Sequence, residues 1–162
     1  MKRSTLAATS LAVATAAGIG SIASPGRTAA WYWQVRKPAY QPPGAVFPVV
    51  WTTLYGDIAA TSAVAIDRLR AAGRQDEARR YAAALGVNLA LNAGWSWLFF
   101  RHHKLGASVL GAAALTASSA DLARRTAQAD PRAGVAQSLY PLWGAFATVL
   151  SAHIWRLNRG MR

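Results

Sequence analysis

Aromatic and amide side chains recur at helical spacing in the middle of the chain. Asn88, Asn92, Trp95 and Phe99 follow one another at i, i+4, i+7 and i+11 and so share one helix face. Aromatic rings stack on flat apolar molecules, and amides orient such molecules through hydrogen bonds. The stripe is typical of a pocket for a large flat hydrophobic ligand, although rings at this spacing also occur in ordinary cores.

Two further segments carry bulky stripes that complete such a pocket. The stripes are Phe47, Trp51, Tyr55 and Ile58 in one segment, and Trp143, Ala147, Leu150 and Ile154 in the other. The small side chain of Ala147 leaves room beside Trp143. Three stripes together favour a cavity over simple core packing.

No pattern indicates acid–base, nucleophilic or metal catalysis. The chain has no cysteine, which excludes disulfides and thiolate ligands. His102 and His103 are adjacent in a basic turn with no acidic ligands nearby, so a solvated turn is favoured over a metal or haem site. We expect no metal site and no obligatory cofactor.

Long apolar runs must position these stripes. The composition is 53% hydrophobic and 15% charged, which is more apolar than typical soluble proteins. Runs of about 20 residues cross a bilayer as helices and are too long for barrel strands. The sequence predicts an all-α integral membrane bundle of five transmembrane helices, forming a single domain over 1–162. The predicted helices are 4–24, 44–66, 78–100, 105–123 and 133–157.

The connection 25–43 is unusually aromatic and rich in proline. Such a loop is too apolar for water and should fold back over the bundle as a lid. The lid residues singled out are Trp31, Trp33, Arg36, Lys37 and Pro38.

The first apolar run has a competing interpretation. It follows Met1, Lys2 and Arg3 and has small residues near Ser24, as a cleavable signal peptide would. The run is longer than a usual signal core, and its loss would remove a packing partner from four helices. We therefore predict a retained helix.

The formal net charge is +12, and the basic residues lie between the apolar runs. Anionic lipid headgroups are therefore the expected partner, and nucleic acid is not. Of the 18 Lys and Arg residues, 10 lie on one side of the predicted bundle and 8 on the other, so orientation is not predicted.

Gly86, Ala90 and Gly94 recur every four residues on the face opposite Asn92. Such spacing lets two helices approach closely. The stripe predicts a homodimer interface, or alternatively packing within one chain.

Asp57 is an acid near the middle of the second predicted helix. A carboxylate there is costly in lipid and should face the interior or a partner. We expect a structural role, with a hydrogen bond to Ser118 or Ser119, or else a proton-coupled or interface role.

Three segments together resemble the translocator protein family, also called the tryptophan-rich sensory protein or peripheral benzodiazepine receptor family (TspO/MBR), in its bacterial form. They are WYWQVRKPAYQPPGAVFPVVWTTLY, LALNAGWSWLFF and LYPLWGAFATVLSAHIWRLN, and the resemblance covers about residues 30–158. It implies a multi-pass protein of the bacterial cell membrane, commonly a homodimer, that binds protoporphyrin IX, haem or related tetrapyrroles as sensor, scavenger or transporter.

The resemblance also implies functional residues. The ligand-binding positions are Tyr32, Trp51, Asn92, Trp95, Phe99, Trp143 and Ala147. Some bacterial members degrade porphyrin in light, which would make Trp51 and Trp143 the catalytic candidates. A lipid- or sterol-handling module is a further alternative, and an exporter that uses Asp57 is another.

Two departures from the animal pattern bear on the ligand. The sterol motif of animal members needs a tyrosine in the last helix, where this chain has Ala152. A further tryptophan of the animal drug site is replaced by Ala107. Both departures favour a bacterial tetrapyrrole site over an animal-type sterol site.

Overall fold

The computed structural model describes residues 1–23 and 26–160, without the side chains of 26–29. Every regular element in these ranges is helical, which confirms the predicted all-α bundle. The helices are α1 (Arg3–Ile22), α2 (Gly26–Gln34), α3 (Val46–Ala71), α4 (Gln75–Ser96), α5 (Leu105–Ala129), α6 (Pro131–Gln137) and α7 (Leu139–Leu157). A π-helical turn, Trp97–Arg101, continues α4.

Four of the described helices are long and apolar enough to cross a bilayer: α1, α3, α4 with its π-helical turn, and α5. The fifth long helix, α7, has 19 residues and packs most extensively against α5. It is not among those four, because Pro141, His153 and Arg156 lower its mean hydropathy. The predicted five-helix count therefore corresponds to four clearly apolar helices and α7.

The helices α3 and α5 continue beyond their predicted ends at 66 and 123. Only Ala72, Gly73 and Arg74 separate α3 from α4. Gly73 has φ of 73°, the left-handed conformation that glycine adopts at a helix C-terminus without a Cβ penalty. Most of the predicted connection 67–77 between the second and third helices is therefore helical.

The prediction of a loop over 25–43 is wrong for its first half. Residues Gly26–Gln34 form α2, since no proline lies between residues 26 and 37. Residues 24 and 25 lie outside the described part. The lid is therefore a short helix followed by an irregular, proline-rich segment.

The prediction of one continuous last helix is also wrong. Ser138 separates α6 from α7. Pro141 explains the break, because it has no N–H to donate to the Gln137 carbonyl and its ring would clash there. This region begins at Pro131, two residues before the predicted start, and Asp130 caps α6 by accepting a hydrogen bond from the Ala133 N–H at 3.0 Å.

The Asp130 cap is also tied to α3. Arg68 Nε lies 3.2 Å from Asp130 Oδ2. The Ala133 N–H bond, together with Arg68, holds the pKa of the Asp130 carboxyl below its usual value. This contact fixes the short α6 helix against α3.

The first helix forms a wall of the bundle. Thr9 Oγ1 donates to the Ala59 carbonyl of α3 at 2.9 Å. Near the other end, Trp97 Nε1 donates to the Ile19 carbonyl at 3.0 Å. These contacts give α1 the packing role expected of a retained helix.

Candidate functional site

A cavity of about 530 Å³ lies between two hydrophobic clusters of the bundle. Its walls come from α1, α3, α4, the π-helical turn and α7, and Tyr32 of α2 lies at its lid. The volume is within the usual range for small-molecule sites, about 300–1,000 Å³. The cavity is large enough for a drug-sized or larger flat ligand.

All seven residues singled out as ligand-binding border this cavity. They are Tyr32, Trp51, Asn92, Trp95, Phe99, Trp143 and Ala147. The helical stripes of the sequence therefore meet in one place.

The rings form a connected aromatic wall. Trp95 stacks on Phe99 with ring centroids 5.5 Å apart, and Phe99 meets Phe100 edge-on at 4.8 Å. On α7, Trp143 meets Phe47 edge-on at 5.8 Å. Such contacts hold the rings in place before a ligand arrives.

Two successive phenylalanines of the π-helical turn border the cavity. The His102 N–H donates to the Trp97 carbonyl at 2.9 Å, a bond that spans five residues instead of four. Successive side chains of an α-helix are about 100° apart and face different directions. The widened turn changes the directions in which Phe99 and Phe100 project, compared with an uninterrupted α-helix.

Asn92 belongs to a buried hydrogen-bond chain behind the aromatic wall. Tyr55 donates its hydroxyl to Asn92 Oδ1 at 2.9 Å, and Asn92 Nδ2 donates to the Tyr140 hydroxyl at 3.3 Å. Tyr140 in turn donates to Asn88 Oδ1 at 2.9 Å. Asn92 therefore positions Tyr55, whose hydroxyl retains an acceptor lone pair at the cavity.

Two indole N–H groups of the wall have no acceptor among the described residues. They are Trp95 Nε1 and Trp143 Nε1, both buried. An unpaired buried donor costs about 1–3 kcal/mol. Both nitrogens are closed off from solvent, so a ligand in the cavity contacts other atoms of these two rings.

The lid is held over the cavity by rings and by its own lysine. Trp31 stacks on His103 with centroids 3.9 Å apart and meets Phe99 edge-on at 6.0 Å. Lys37 Nζ donates to the Tyr32 and Val35 carbonyls and lies 4.5 Å from the Tyr32 ring centroid. Burial lowers the pKa of the Lys37 ammonium.

None of the five predicted lid residues borders the cavity, whereas their neighbour Tyr32 does. Trp33 is 78% exposed, whereas Pro38 is buried in the lid. Gln41 Nε2 donates to the Tyr32 hydroxyl at 3.0 Å. Burial raises the pKa of Tyr32 more than this hydrogen bond lowers it.

The lid is also attached to the end of α7. The Arg36 N–H donates to Asn158 Oδ1 at 3.0 Å, and Asn158 Nδ2 donates to the Arg36 carbonyl at 2.9 Å. The Arg36 side chain itself is exposed. The backbone of the lid is therefore fixed, while a guanidinium remains accessible to an anion.

Charge is distributed unevenly between the two ends of the bundle. Apart from Asp57, every acidic residue lies in the half that contains the α3–α4 and α5–α6 connections. Around the lid, the described residues supply cations and no carboxylate. The cations are Arg36, Lys37, Arg101, Lys104, Arg156 and Arg159. The lid end is therefore suited to anionic groups.

The predicted hydrogen bond from Asp57 to Ser118 or Ser119 is wrong. Asn88 Nδ2 donates to both serine hydroxyls at 3.2 Å, and Asp57 Oδ2 is buried without a partner among the described residues. Helical periodicity explains why this prediction failed, because Asp57 lies on the same face of α3 as Arg68, eleven residues further on. Asp57 also does not border the cavity.

The small-residue stripe of α4 is on the outside of the bundle. Gly86, Ala90 and Gly94 are exposed, and a Cβ added at either glycine would meet nothing within 4 Å. The alternative of packing within one chain is therefore wrong for this stripe. A dimer interface there stays a prediction.

The two adjacent histidines have different surroundings. His103 has φ of 53° and stacks on Trp31, whereas the His102 ring lies 6.3 Å from that of Trp97. The described residues contain no group of three or more His, Asp or Glu side chains arranged to hold a metal.

Sequence reasoning missed several cavity residues. Ala17, Gly20 and Ser21 of α1 border it, and nothing in their composition signals a ligand wall. Tyr55 was part of a recognised stripe but was not assigned to the site. Tyr55 is connected to the site by its hydrogen bond to Asn92 on another helix, and no sequence pattern predicts that contact.

Comparison with known proteins gives one family. The model of the TspO/MBR family matches residues 8–156. Protein CrtK of Rhodobacter capsulatus is 32% identical over 93% of this chain and 90% of its own length. The translocator protein of Homo sapiens is 31% identical over 89% and 84%. The tryptophan-rich sensory protein of Cereibacter sphaeroides is 30% identical over 79% and 77%.

Proposed function

Because the chain belongs to the TspO/MBR family of membrane proteins, we propose that its aromatic cavity binds a tetrapyrrole such as protoporphyrin IX or haem. The protein acts as a membrane receptor, sensor or transporter for that ligand. The observation that carries the proposal is the meeting of Trp51, Trp95 and Trp143 around one cavity of about 530 Å³. Flat conjugated macrocycles match such walls by offset stacking.

The polar groups support the same ligand class. Tyr55 borders the cavity, and its hydroxyl can still accept a hydrogen bond from the ligand. At the lid end, the exposed Arg36 guanidinium is the best-placed partner for a peripheral carboxylate of the ligand. Lys37 is less available, because its ammonium already binds lid carbonyls.

Tryptophan fluorescence tests the proposal. Titration of the full-length protein in detergent with protoporphyrin IX should quench emission and saturate. Trp33→Phe is the matched control, since Trp33 is 78% exposed and does not border the cavity, and it should leave the dissociation constant unchanged. Trp143→Ala should weaken binding. Equal dissociation constants for all three proteins would refute the site.

Light-dependent oxidation of the bound porphyrin by dioxygen is a second candidate function. Oxidisable aromatic rings lie next to one another at the cavity. The ring centroid of Trp51 is 5.6 Å from that of Tyr55 and 6.4 Å from that of Tyr140. In this function Trp51 and Trp143 are the catalytic candidates. Illumination of the complex should give an absorbing product more slowly in Trp143→Phe, and equal rates would remove that indole from the reaction.

We also propose that two copies associate through Gly86, Ala90 and Gly94. The open space around both glycines allows close approach of another helix. Crosslinking in native membranes should trap a dimer, which Gly94→Leu should abolish. A sterol-handling role has less support, since Ala152 occupies the position of the motif tyrosine.

A further inference from the structure

A second cavity, on the outside of the bundle, is separate from the aromatic site. It is a groove of about 370 Å³ between α1, α3 and α4, and we call it the α1–α4 groove. Its apolar wall is formed by Ala8, Ala12, Ile66, Leu85, Gly86 and Leu89. No residue of the aromatic cavity borders it.

The length of the groove matches one leaflet of a membrane. Along α1 it extends from Ser4 to Ala12, which is about 12 Å at 1.5 Å per residue. Half of the ~30 Å hydrocarbon core is ~15 Å. The groove thus begins at one membrane surface and ends near the bilayer centre, as a lipid acyl chain does.

The mouth of the groove is cationic and polar. Arg70, at the end of α3, borders the groove and forms no ion pair with a described carboxylate. The Ser4 hydroxyl borders it too and makes no hydrogen bond within the described residues. A guanidinium and a free hydroxyl together suit a phosphate group.

Other charges near the mouth do not cancel this cation. Asp67 lies beside it but accepts hydrogen bonds from the Lys2 N–H and the Thr5 hydroxyl, and lies 4.0 Å from the N-terminal ammonium. On α4, Arg79 shares the stripe of Ala82 and Gly86 and is only loosely paired with Asp76, at 3.7 Å. The net field at the mouth is positive.

We propose that the α1–α4 groove binds one anionic phospholipid, with its phosphate on Arg70 and Ser4 and an acyl chain against Ala8 and Leu85. The site is independent of tetrapyrrole binding. A second copy of the chain is a poorer occupant, because the groove contains Gly86 but neither Ala90 nor Gly94. A helix packed on the full small-residue stripe would continue beyond the end of the groove.

Native mass spectrometry of the full-length protein tests the proposal. The protein is mixed with dioleoyl phosphatidylglycerol or dioleoyl phosphatidylcholine in detergent, and the retained lipid is counted. Phosphatidylglycerol should be retained preferentially. Arg70→Gln should reduce its affinity about fivefold, the effect of one cation near the headgroups. Arg101→Gln, at the lid end, is the matched control and should change nothing.

Substitutions that fill the groove distinguish lipid binding there from association of two copies of the chain. Gly86→Leu should reduce retention of both lipids, whereas Gly94→Leu should not, although both glycines have open space for a side chain. Circular dichroism confirms that each variant is helical, and Ala12→Leu fills the groove from the α1 side if Gly86→Leu does not fold.

Three results would overturn the proposal. These are equal retention of the two lipids, unchanged affinity in Arg70→Gln, and equal losses in Gly86→Leu and Gly94→Leu. The last result would place the lipid between two copies of the chain.

Discussion

The hydroxyl of Tyr140 connects two buried amides behind the aromatic cavity, and its removal is the sharpest test of that network. Tyr140 is fully buried, donates to Asn88 at 2.9 Å and accepts from Asn92 at 3.3 Å. Tyr140→Phe keeps the ring and its edge-on contact with Trp51. Only the two hydrogen bonds are lost.

The expected cost follows from these two bonds. Hydrogen bonds between helices in membranes contribute about 0.6 kcal/mol each, so two give about 1.2 kcal/mol. Leaving a buried amide group unpaired adds about 1–3 kcal/mol. We expect the free energy of unfolding to fall by about 2–4 kcal/mol.

The assay is reversible unfolding in mixed detergent and sodium dodecyl sulfate, followed by circular dichroism. Tyr40→Phe is the matched control, because Tyr40 is 47% exposed and its hydroxyl has one contact, with His153 at 3.3 Å. It should change the free energy by less than about 0.5 kcal/mol. If Tyr140→Phe changes the free energy of unfolding as little as Tyr40→Phe does, the hydrogen-bond network does not stabilise the bundle and the prediction is wrong.

Three further changes probe the corners and the lid. Gly134→Ala should destabilise the α5–α6 corner by about 1–3 kcal/mol or more, because its Cβ would lie 2.4 Å from the Ala127 Cα; an unchanged thermal midpoint would contradict this packing. Asp130→Asn keeps a capping side chain but loses the charge. Its thermal midpoint should therefore lie below that of the wild type by a constant amount above the ordinary carboxyl pKa of 3.8, and the difference should vanish as the pH falls below the lowered pKa of the folded state. A difference that does not depend on pH would show that the charge of Asp130 does not contribute to stability. Asn158→Ala removes both bonds to Arg36, so hydrogen exchange of the lid should accelerate while that of α5 stays constant, and equal protection in variant and wild type would show that other contacts hold the lid.

The sequence was sufficient to predict which residues share a helix face. The stripes containing Trp51, Trp95 and Trp143 were read from helical periodicity, and the bundle brings them to one cavity. Periodicity succeeds here because apolar helices of membrane length leave few alternative arrangements. Family resemblance added the position of Tyr32.

Sequence reasoning failed where the outcome depends on which helices are neighbours. Asn88, and not Asp57, binds Ser118 and Ser119, because Asp57 is turned towards the Arg68 face of α3. The break before α7 was missed although Pro141 signals it, since the apolar run continues through it. The helix in the lid was missed because its aromatic residues resemble a loop that packs on the bundle.

The π-helical turn at Trp97–Arg101 makes the aromatic wall sensitive to chain length. A widened turn contains one residue more than an α-helical turn, so deletion of a single residue between 97 and 101 would restore ordinary helical pairing without breaking the helix. The rest of α4 would keep its register, but the positions of Phe99 and Phe100 relative to the cavity would change. In this segment a one-residue deletion should therefore spare folding and change ligand selectivity, whereas elsewhere in α4 it would rotate half of the helix out of its packing.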